Sequence, residues 1–223
     1  MNPNHSSAPH PVGRVALVLA PLLVLAAHLV QASPQAHDTA SELSSIAAAP
    51  GRYQLAGLLG FVACVLFAPA LLAMASALRP HRPRWAGVGV AMSVTGLLAL
   101  TALQGSGPVS QALAQAPDRA AAVAVTDAYE ALPLTSVWAL LMIVGFVLGP
   151  VVLGFGLWRA GASPLVPALL VAGVVVQMAD LGRWPLALGF LLTAAGFGLC
   201  ATPLGRASEQ PRPAVDPAPL GVS

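Results

Sequence analysis

The stretch "VVVQMADLGRW", residues 174–184, places three polar side chains at the end of an apolar run. Gln177, Asp180 and Arg183 follow one another at intervals of three residues, so Asp180 and Arg183 can pair if a helix continues through them. Polar and ionisable groups are costly in lipid and commonly face the interior of a helix bundle or a wet cavity. The pattern indicates either a site inside a membrane or, as the ordinary alternative, the point at which a helix leaves the lipid.

Further polar residues lie at the same depth, at the ends of other apolar blocks. His28 and Gln31 close the first block, Gln104 ends the third, and Glu130 precedes the fourth. An outward-opening polar pocket would explain this shared depth. The alternative is that helix ends are simply where polar residues are tolerated. The candidate ligand-binding residues are His28, Gln104, Glu130, Gln177 and Asp180.

The composition identifies the elements that would position these side chains. With 57% hydrophobic and 8% charged residues and a mean hydropathy of +0.79, the chain differs from soluble domains, in which roughly 25% of residues are charged. Six apolar blocks are long enough, or nearly so, to cross the roughly 30 Å of hydrocarbon in a bilayer. The blocks are Val15–Val30, Leu55–Leu78, Ala86–Leu103, Val137–Trp158, Leu165–Ala179 and Leu186–Ala201. The predicted fold class is all-α, a polytopic membrane bundle of six transmembrane helices.

Arginine predicts how this bundle is oriented, since the chain has no lysine. When alternate connections are assigned to opposite sides, one side holds Arg14, Arg79, Arg82, Arg84, Arg159, Arg206 and Arg212. The other side holds Arg52, Arg119 and Arg183. Because cytoplasmic connections carry an excess of basic residues, both termini are predicted to be cytoplasmic and the protein to be a multi-pass protein of the bacterial inner membrane.

The predicted membrane domain covers residues 14–202. The tails, residues 1–13 and 203–223, are proline-rich and lack apolar periodicity, which is typical of disordered segments. Between the spans, Asp38 and Asp118 can cap two short helices, the first with an apolar face formed by Ala40, Leu43, Ile46 and Ala47. Each short helix would be either a partial lid over the bundle or an interfacial connector.

The first apolar block has a second interpretation. Arg14 precedes it, and Val30-Gln31-Ala32 before Ser33 fits the small-residue cleavage site of a secretory signal peptide. The sequence leaves open whether this segment is removed or remains as the first helix of the bundle. The later helices keep the same orientation in either case.

Small residues and prolines predict how the spans pack. Gly145 and Gly149 form a GxxxG pair in the fourth block, which indicates close packing against a neighbouring helix. Pro69 and Pro150 lie within spans, where a proline removes a backbone donor and can kink the helix.

Motifs of catalysis and cofactor binding are absent from the sequence. Without lysine there is no Schiff-base chemistry, and the chain has no HExxH and no GxxxxGK[ST] motif. His28 is the one histidine within a predicted span, so a haem held by two histidines is not expected. We therefore predict no catalytic residue, no metal and no cofactor.

Two quoted segments resemble a known family. "LGFGLWRAGASPLVPALLVAGVVVQMAD", preceded by "DAYEALPLTSVWALLMIVGFVLGP", resembles the second half of a large bacterial family of six-helix integral membrane proteins classified as a domain of unknown function. In that family a glycine-rich helix ends in an arginine and a small-residue turn, and a proline then begins a helix that ends near an acid. The corresponding residues here are Arg159, Gly161, Ser163-Pro164, Gly173 and Asp180. The resemblance covers about residues 10–202, implies the six-helix architecture and brings no known activity.

Three function hypotheses follow from these features. The first is a non-enzymatic membrane protein that binds a small molecule, lipid or partner at the outward-facing polar pocket. The second is a small permease with His28, Gln177 and Asp180 along its path. The third is a membrane-embedded enzyme built on Glu130, Asp180 and His28. The expected partner is the lipid bilayer, with a small ligand or membrane partner in addition and no nucleic acid.

The depths of the two native cysteines predict their state. Cys64 and Cys200 differ in depth by about 7 Å, counted from the outer ends of their helices, so they should be free thiols within the membrane.

The orientation can be tested with introduced cysteines. If both termini are cytoplasmic, cysteines at Ser44 and Ala121 should react with an impermeant thiol reagent in intact cells, whereas one at His81 should not. The reverse labelling pattern would overturn the orientation.

Overall fold

Helices make up every regular element in the part of the chain that the computed structural model describes, residues 11–31, 38–179 and 183–206. They are α1 (Pro11–Val30), α2 (Thr39–Ala48), α3 (Pro50–Leu78), α4 (Pro83–Gln104), α5 (Gly107–Ala114), α6 (Arg119–Glu130), α7 (Pro133–Leu141), a π-helical segment (Met142–Val147), α8 (Leu148–Arg159), α9 (Leu165–Met178) and α10 (Arg183–Arg206). The two predicted tails lie largely outside the described residues.

Five helical stretches are long and apolar enough to cross a membrane, namely Pro11–Val30, Pro50–Leu78, Pro83–Ala114, Pro133–Arg159 and Trp184–Thr202. The predicted fifth span, α9, is an apolar helix of only 14 residues. Exposed side chains on the long helices are largely apolar, as at Val65, Leu98 and Leu140, which suits contact with lipid. The all-α membrane bundle predicted from the sequence is confirmed.

The long helices follow one another around the bundle in chain order. α1 packs against α3, α3 against α4, α4 against the π-helical segment and α8, α8 against α9, and α9 against α10, which closes the ring on α1. The main core lies inside this ring and contains Leu17, Phe67, Met74, Leu153, Leu170 and Phe197. Leu17 and its neighbours Ala16 and Ala20 are buried there, so α1 contributes to this core.

The three short helices α2, α5 and α6 pack together at one end of the bundle, and we call them the cap. Leu43, Ile46, Ala114 and Ala122 form a small core of their own between them. The two predicted helix caps are confirmed: Asp38 accepts a hydrogen bond from Ser41 N at 2.7 Å, and Asp118 accepts one from Ala121 N at 3.0 Å.

Two details of the cap differ from the sequence expectation. Ala40 and Ala47 are exposed, so the buried face of α2 is narrower than its apolar spacing indicates and rests on the two larger side chains. α5 was not expected; its sequence, "GPVSQALA", carries no capping hydrogen bond from a side chain and packs against α2 and α6. We call the opposite end of the bundle, which carries Arg79, Arg82, Arg84 and Arg159, the arginine end.

Among the glycines that the structure describes, those with the least room for a side chain lie where α4 meets the π-helical segment. A Cβ atom at Gly96 would lie 1.8 Å from the backbone nitrogen of Phe146, and one at Gly145 would lie 2.5 Å from the backbone oxygen of Met92. One helical turn further along, a Cβ at Gly149 would lie 2.3 Å from Ser93 Oγ. The close packing predicted for the Gly145–Gly149 pair is therefore present, and its partner is α4.

The helix that contains Pro150 widens instead of breaking. An α-helical hydrogen bond from residue 150 would end on the carbonyl of Phe146, but proline has no N–H to donate and its ring crowds that carbonyl. The π-helical turn lies directly ahead of the proline and takes up this mismatch within a continuous span.

Cys64 and Cys200 are both free and buried, as their difference in depth predicted.

The contact between α4 and the π-helical segment can be tested with alanine. Gly96→Ala should lower the free energy of unfolding by about 1–3 kcal/mol, because the added methyl group overlaps backbone atoms that cannot turn away. Gly87→Ala is a matched control on the same helix, with nothing within 4 Å of its Cβ, and should be neutral or stabilising by up to about 1 kcal/mol. Unfolding of both variants in detergent micelles measures the difference, and equal stabilities would contradict the packing.

Candidate functional site

His28 lies where α1 packs against α10. Its side chain is buried, and its ring centroid lies 5.5 Å from that of Phe190, with the ring planes inclined at 44°. The histidine therefore faces the bundle and not the lipid. Its aromatic neighbour belongs to a helix more than 150 residues further along the chain.

Gln177 lies where α9 packs against α10. Its side-chain amide donates a hydrogen bond to Thr193 Oγ1 at 3.0 Å, and the Thr193 hydroxyl donates in turn to the Gly189 carbonyl at 3.0 Å. The two helices approach closely here, since a Cβ at Gly173 would lie 2.4 Å from Thr193 Oγ1. Hydrogen bonds between membrane helices contribute about 0.6–2 kcal/mol each, so this pair stabilises the contact between α9 and α10.

The other predicted site residues lie on different elements. The side-chain amide of Gln104 packs against Gly60, and a Cβ atom added to Gly60 would lie 3.1 Å from Gln104 Nε2. Gln104 therefore lies between α4 and α3. Glu130 is exposed at the end of α6, in the cap. Asp180 lies outside the described residues. His28 and Gln177 thus lie beside α10, whereas Gln104 and Glu130 lie at two other places.

A small cavity lies inside the ring of long helices. Its volume is about 60 Å³, and its walls include Phe67, Phe146, Phe190, Phe197, Gln177 and Thr193. Sites for small molecules usually measure roughly 300–1,000 Å³. A water molecule occupies about 30 Å³, so this cavity has room for about two waters beside Gln177 and Thr193 and not for an organic ligand.

Polar side chains also meet in the cap. The Tyr53 hydroxyl at the start of α3 lies near Ser110 of α5, and Glu42 of α2 lies near both Tyr53 and Glu130. Burial, and secondly the negative charge of Glu130, raise the pKa of the Glu42 carboxyl above its ordinary value.

Three further hydrogen bonds hold the cap helices to one another. Arg119 donates to the Ala114 carbonyl at 2.7 Å and to Ser44 Oγ at 2.9 Å, and Thr39 Oγ1 donates to an Asp127 carboxylate oxygen. These three bonds join α6 to both α2 and α5. In the ranges that the structure describes, no group of three His, Cys, Asp or Glu residues could hold a metal ion.

A wider recess is an apolar groove on the side of the bundle, between α8 and α9. It has a volume of about 520 Å³, and its walls include Phe155, Trp158, Pro167, Ala168, Val171 and Val175. We call it the α8–α9 groove. None of the site residues predicted from the sequence lines it. The available signal was the spacing of Pro164, Ala168 and Ala172, small residues four apart that leave a shallow channel along one side of a helix.

The turn between α8 and α9 fixes the end of this groove. The N–H of Ala162 donates to the Leu157 carbonyl at 2.9 Å and the N–H of Gly161 to the Trp158 carbonyl at 3.0 Å, which together form a Schellman motif. Gly161 has φ 101°, a conformation that other residues rarely adopt. The Arg159 guanidinium lies 5.7 Å from the ring centroid of Trp158, so a cation and an aromatic ring stand together where the groove begins.

Comparison of the chain with protein-family models, curated proteins and solved structures finds no match. The resemblance to the six-helix bacterial family therefore remains a prediction from the residues quoted above.

The polar cluster of the cap predicts a response to pH. Because folding raises the pKa of Glu42, its charge destabilises the folded cap, and this penalty grows as the pH rises from 4.5 through the raised value. Glu42→Gln should therefore slow amide hydrogen exchange in α2 relative to the wild-type protein at pH 7, and the difference should shrink toward pH 4.5. Glu130→Gln should have the same effect to a smaller degree, since it removes the negative charge that is the smaller of the two causes of the raised Glu42 pKa. Faster exchange in Glu42→Gln at pH 7 would contradict this account.

Proposed function

We propose that this protein is a non-enzymatic multi-pass protein of the bacterial inner membrane that binds a membrane lipid, one acyl chain of which lies in the α8–α9 groove. The observation that carries the proposal is the groove itself. Its volume of about 520 Å³ falls within the usual range of ligand sites, and the residues that line it are apolar. Binding of a lipid was part of the first hypothesis from the sequence, but the polar pocket proposed there involved other residues.

The length of α9 supports this site. Its 14 residues extend about 21 Å, which is less than the roughly 30 Å of hydrocarbon in a bilayer. A short span is accommodated by thinning of the bilayer or by adaptation of the neighbouring lipids. In our proposal α9 completes six passes, the arginine end is cytoplasmic, and a bound lipid covers the side of α8 that the short helix leaves open.

The interior of the bundle supports binding over transport. Between the small cavity and the arginine end, the core is formed by apolar side chains such as Leu71, Met74 and Leu153, each almost fully buried. A permease needs a polar or wet path along its axis. The contacts of His28 and Gln177 with α10 are those of residues that join helices, so they give no specific support to the second hypothesis.

Filling the groove tests the proposal. Ala168→Trp places a large side chain in the groove at an exposed position, where it should not disturb folding. Purified wild-type protein should retain about one lipid per chain through mild delipidation, observed by native mass spectrometry, and Ala168→Trp should lose it. Ala91→Trp is the matched control, an exposed alanine on α4 away from the groove, and should retain the lipid. Equal retention by both variants, or no retained lipid in the wild type, would refute the site.

A further inference from the structure

We propose that the lipid in the α8–α9 groove is an anionic phospholipid of the leaflet at the arginine end, and that Arg159 binds its phosphate. This inference rests on the acyl-chain site proposed above and adds the chemistry of the headgroup. It follows from where the groove ends, from the distribution of charge, and from the geometry of Arg159 and Trp158.

The groove has the length of one leaflet. From Pro164 to Val176 it follows α9 for 12 residues, about 18 Å, whereas half of the hydrocarbon thickness is about 15 Å. An acyl chain that fills the groove from the bilayer midplane therefore reaches the headgroup region close to Pro164. Arg159 and Trp158 lie at this end of the groove, across the turn from Pro164.

The charges at this end of the bundle suit an anion. All five acidic residues that the structure describes belong to the cap region, namely Asp38, Glu42, Asp118, Asp127 and Glu130. Arg159 shares the opposite end with Arg79, Arg82 and Arg84, and all four side chains are exposed. A phosphate there would meet a positive field that none of these five carboxylates neutralises at close range.

The guanidinium of Arg159 is also positioned for this contact. The Schellman turn that ends α8 fixes the backbone beside Arg159, and the side chain lies over the Trp158 ring, which itself forms part of the groove wall. A planar guanidinium can donate two parallel hydrogen bonds to a phosphate while one face rests on an aromatic ring. The acyl chain would then contact the same tryptophan that orients the cation.

A second copy of the chain is a less suitable occupant of the groove. A helix seated there would place its apolar surface against the exposed Arg159 at the level of the headgroups. Such a helix would offer no anionic group to the guanidinium. An anionic lipid supplies both an acyl chain for the groove and a charge for the arginine. Free phosphate has the charge alone and nothing to fill the apolar channel.

Competition between two lipids tests the headgroup contact. Delipidated full-length protein in detergent is mixed with equal amounts of phosphatidylglycerol and phosphatidylcholine that carry the same acyl chains, and bound lipids are counted by native mass spectrometry. Both lipids carry a phosphate, but in phosphatidylcholine the choline ammonium cancels its charge and repels Arg159. The wild type should therefore prefer phosphatidylglycerol by about fivefold or more, the effect of one arginine near an anionic surface. Arg159→Gln should bring the ratio close to one while the total bound lipid stays nearly the same. Arg79→Gln, a matched control at the same end and directly after α3, should keep the preference.

The outcomes separate this inference from the proposed function. An unchanged ratio in Arg159→Gln, or an equal loss of preference in Arg79→Gln, would overturn the role of Arg159 and leave the acyl-chain site standing. If Ala168→Trp binds neither lipid while the wild type keeps its preference for phosphatidylglycerol, the result supports the groove as the binding site of both lipids. If the wild type binds neither lipid, or has the mass of a dimer that Ala168→Trp converts to a monomer, both proposals are wrong.

Discussion

The close approach of α4 to the π-helical segment is the contact on which the arrangement of the bundle depends. In lipid there is little hydrophobic driving force between helices, so association relies on van der Waals packing of closely spaced backbones. Gly96 and Gly145 allow that spacing, and a side chain on either would overlap the backbone of the other helix. With the π-helical segment held against α4, the widened turn places Phe146 beside the central cavity, and α8 continues from it to contact both α3 and α9.

The positions of the long helices were predictable from the sequence because an apolar run long enough to cross the bilayer is a local feature of the chain. The starts of α2 and α6 were predictable for a similar reason, since an aspartate followed by a run of helix-forming residues specifies its own N-cap. α5 has a proline in its first turn but no side chain that caps its N-terminus. It depends on contacts of Leu113 and Ala114 with side chains of the other cap helices, residues far apart in the chain, and short helices are marginal without tertiary packing.

The candidate site was less predictable, because depth in a membrane and direction around a helix axis are separate quantities. Counting residues gives the depth of a polar side chain, but its partner depends on which neighbour the helix turns toward it. Gln177 meets Thr193 and Gln104 meets Gly60, and neither pairing can be obtained from the depth of one residue. The α8–α9 groove posed a harder problem, since an apolar residue that lines a groove has the same composition signal as one that faces bulk lipid.

In the proposed lipid site, one turn supplies both halves of the binding chemistry. Gly161 adopts a positive φ that ends α8, and three residues later Pro164 begins the wall of the groove. The same turn leaves Arg159 in the last helical position, where a cation also interacts favourably with the helix dipole. A longer connection would separate the charge from the channel and let each move independently. Because the turn is short and closed by backbone hydrogen bonds, the distance between the cation and the apolar wall is set by the fold before any lipid binds, so less conformational freedom is lost on binding.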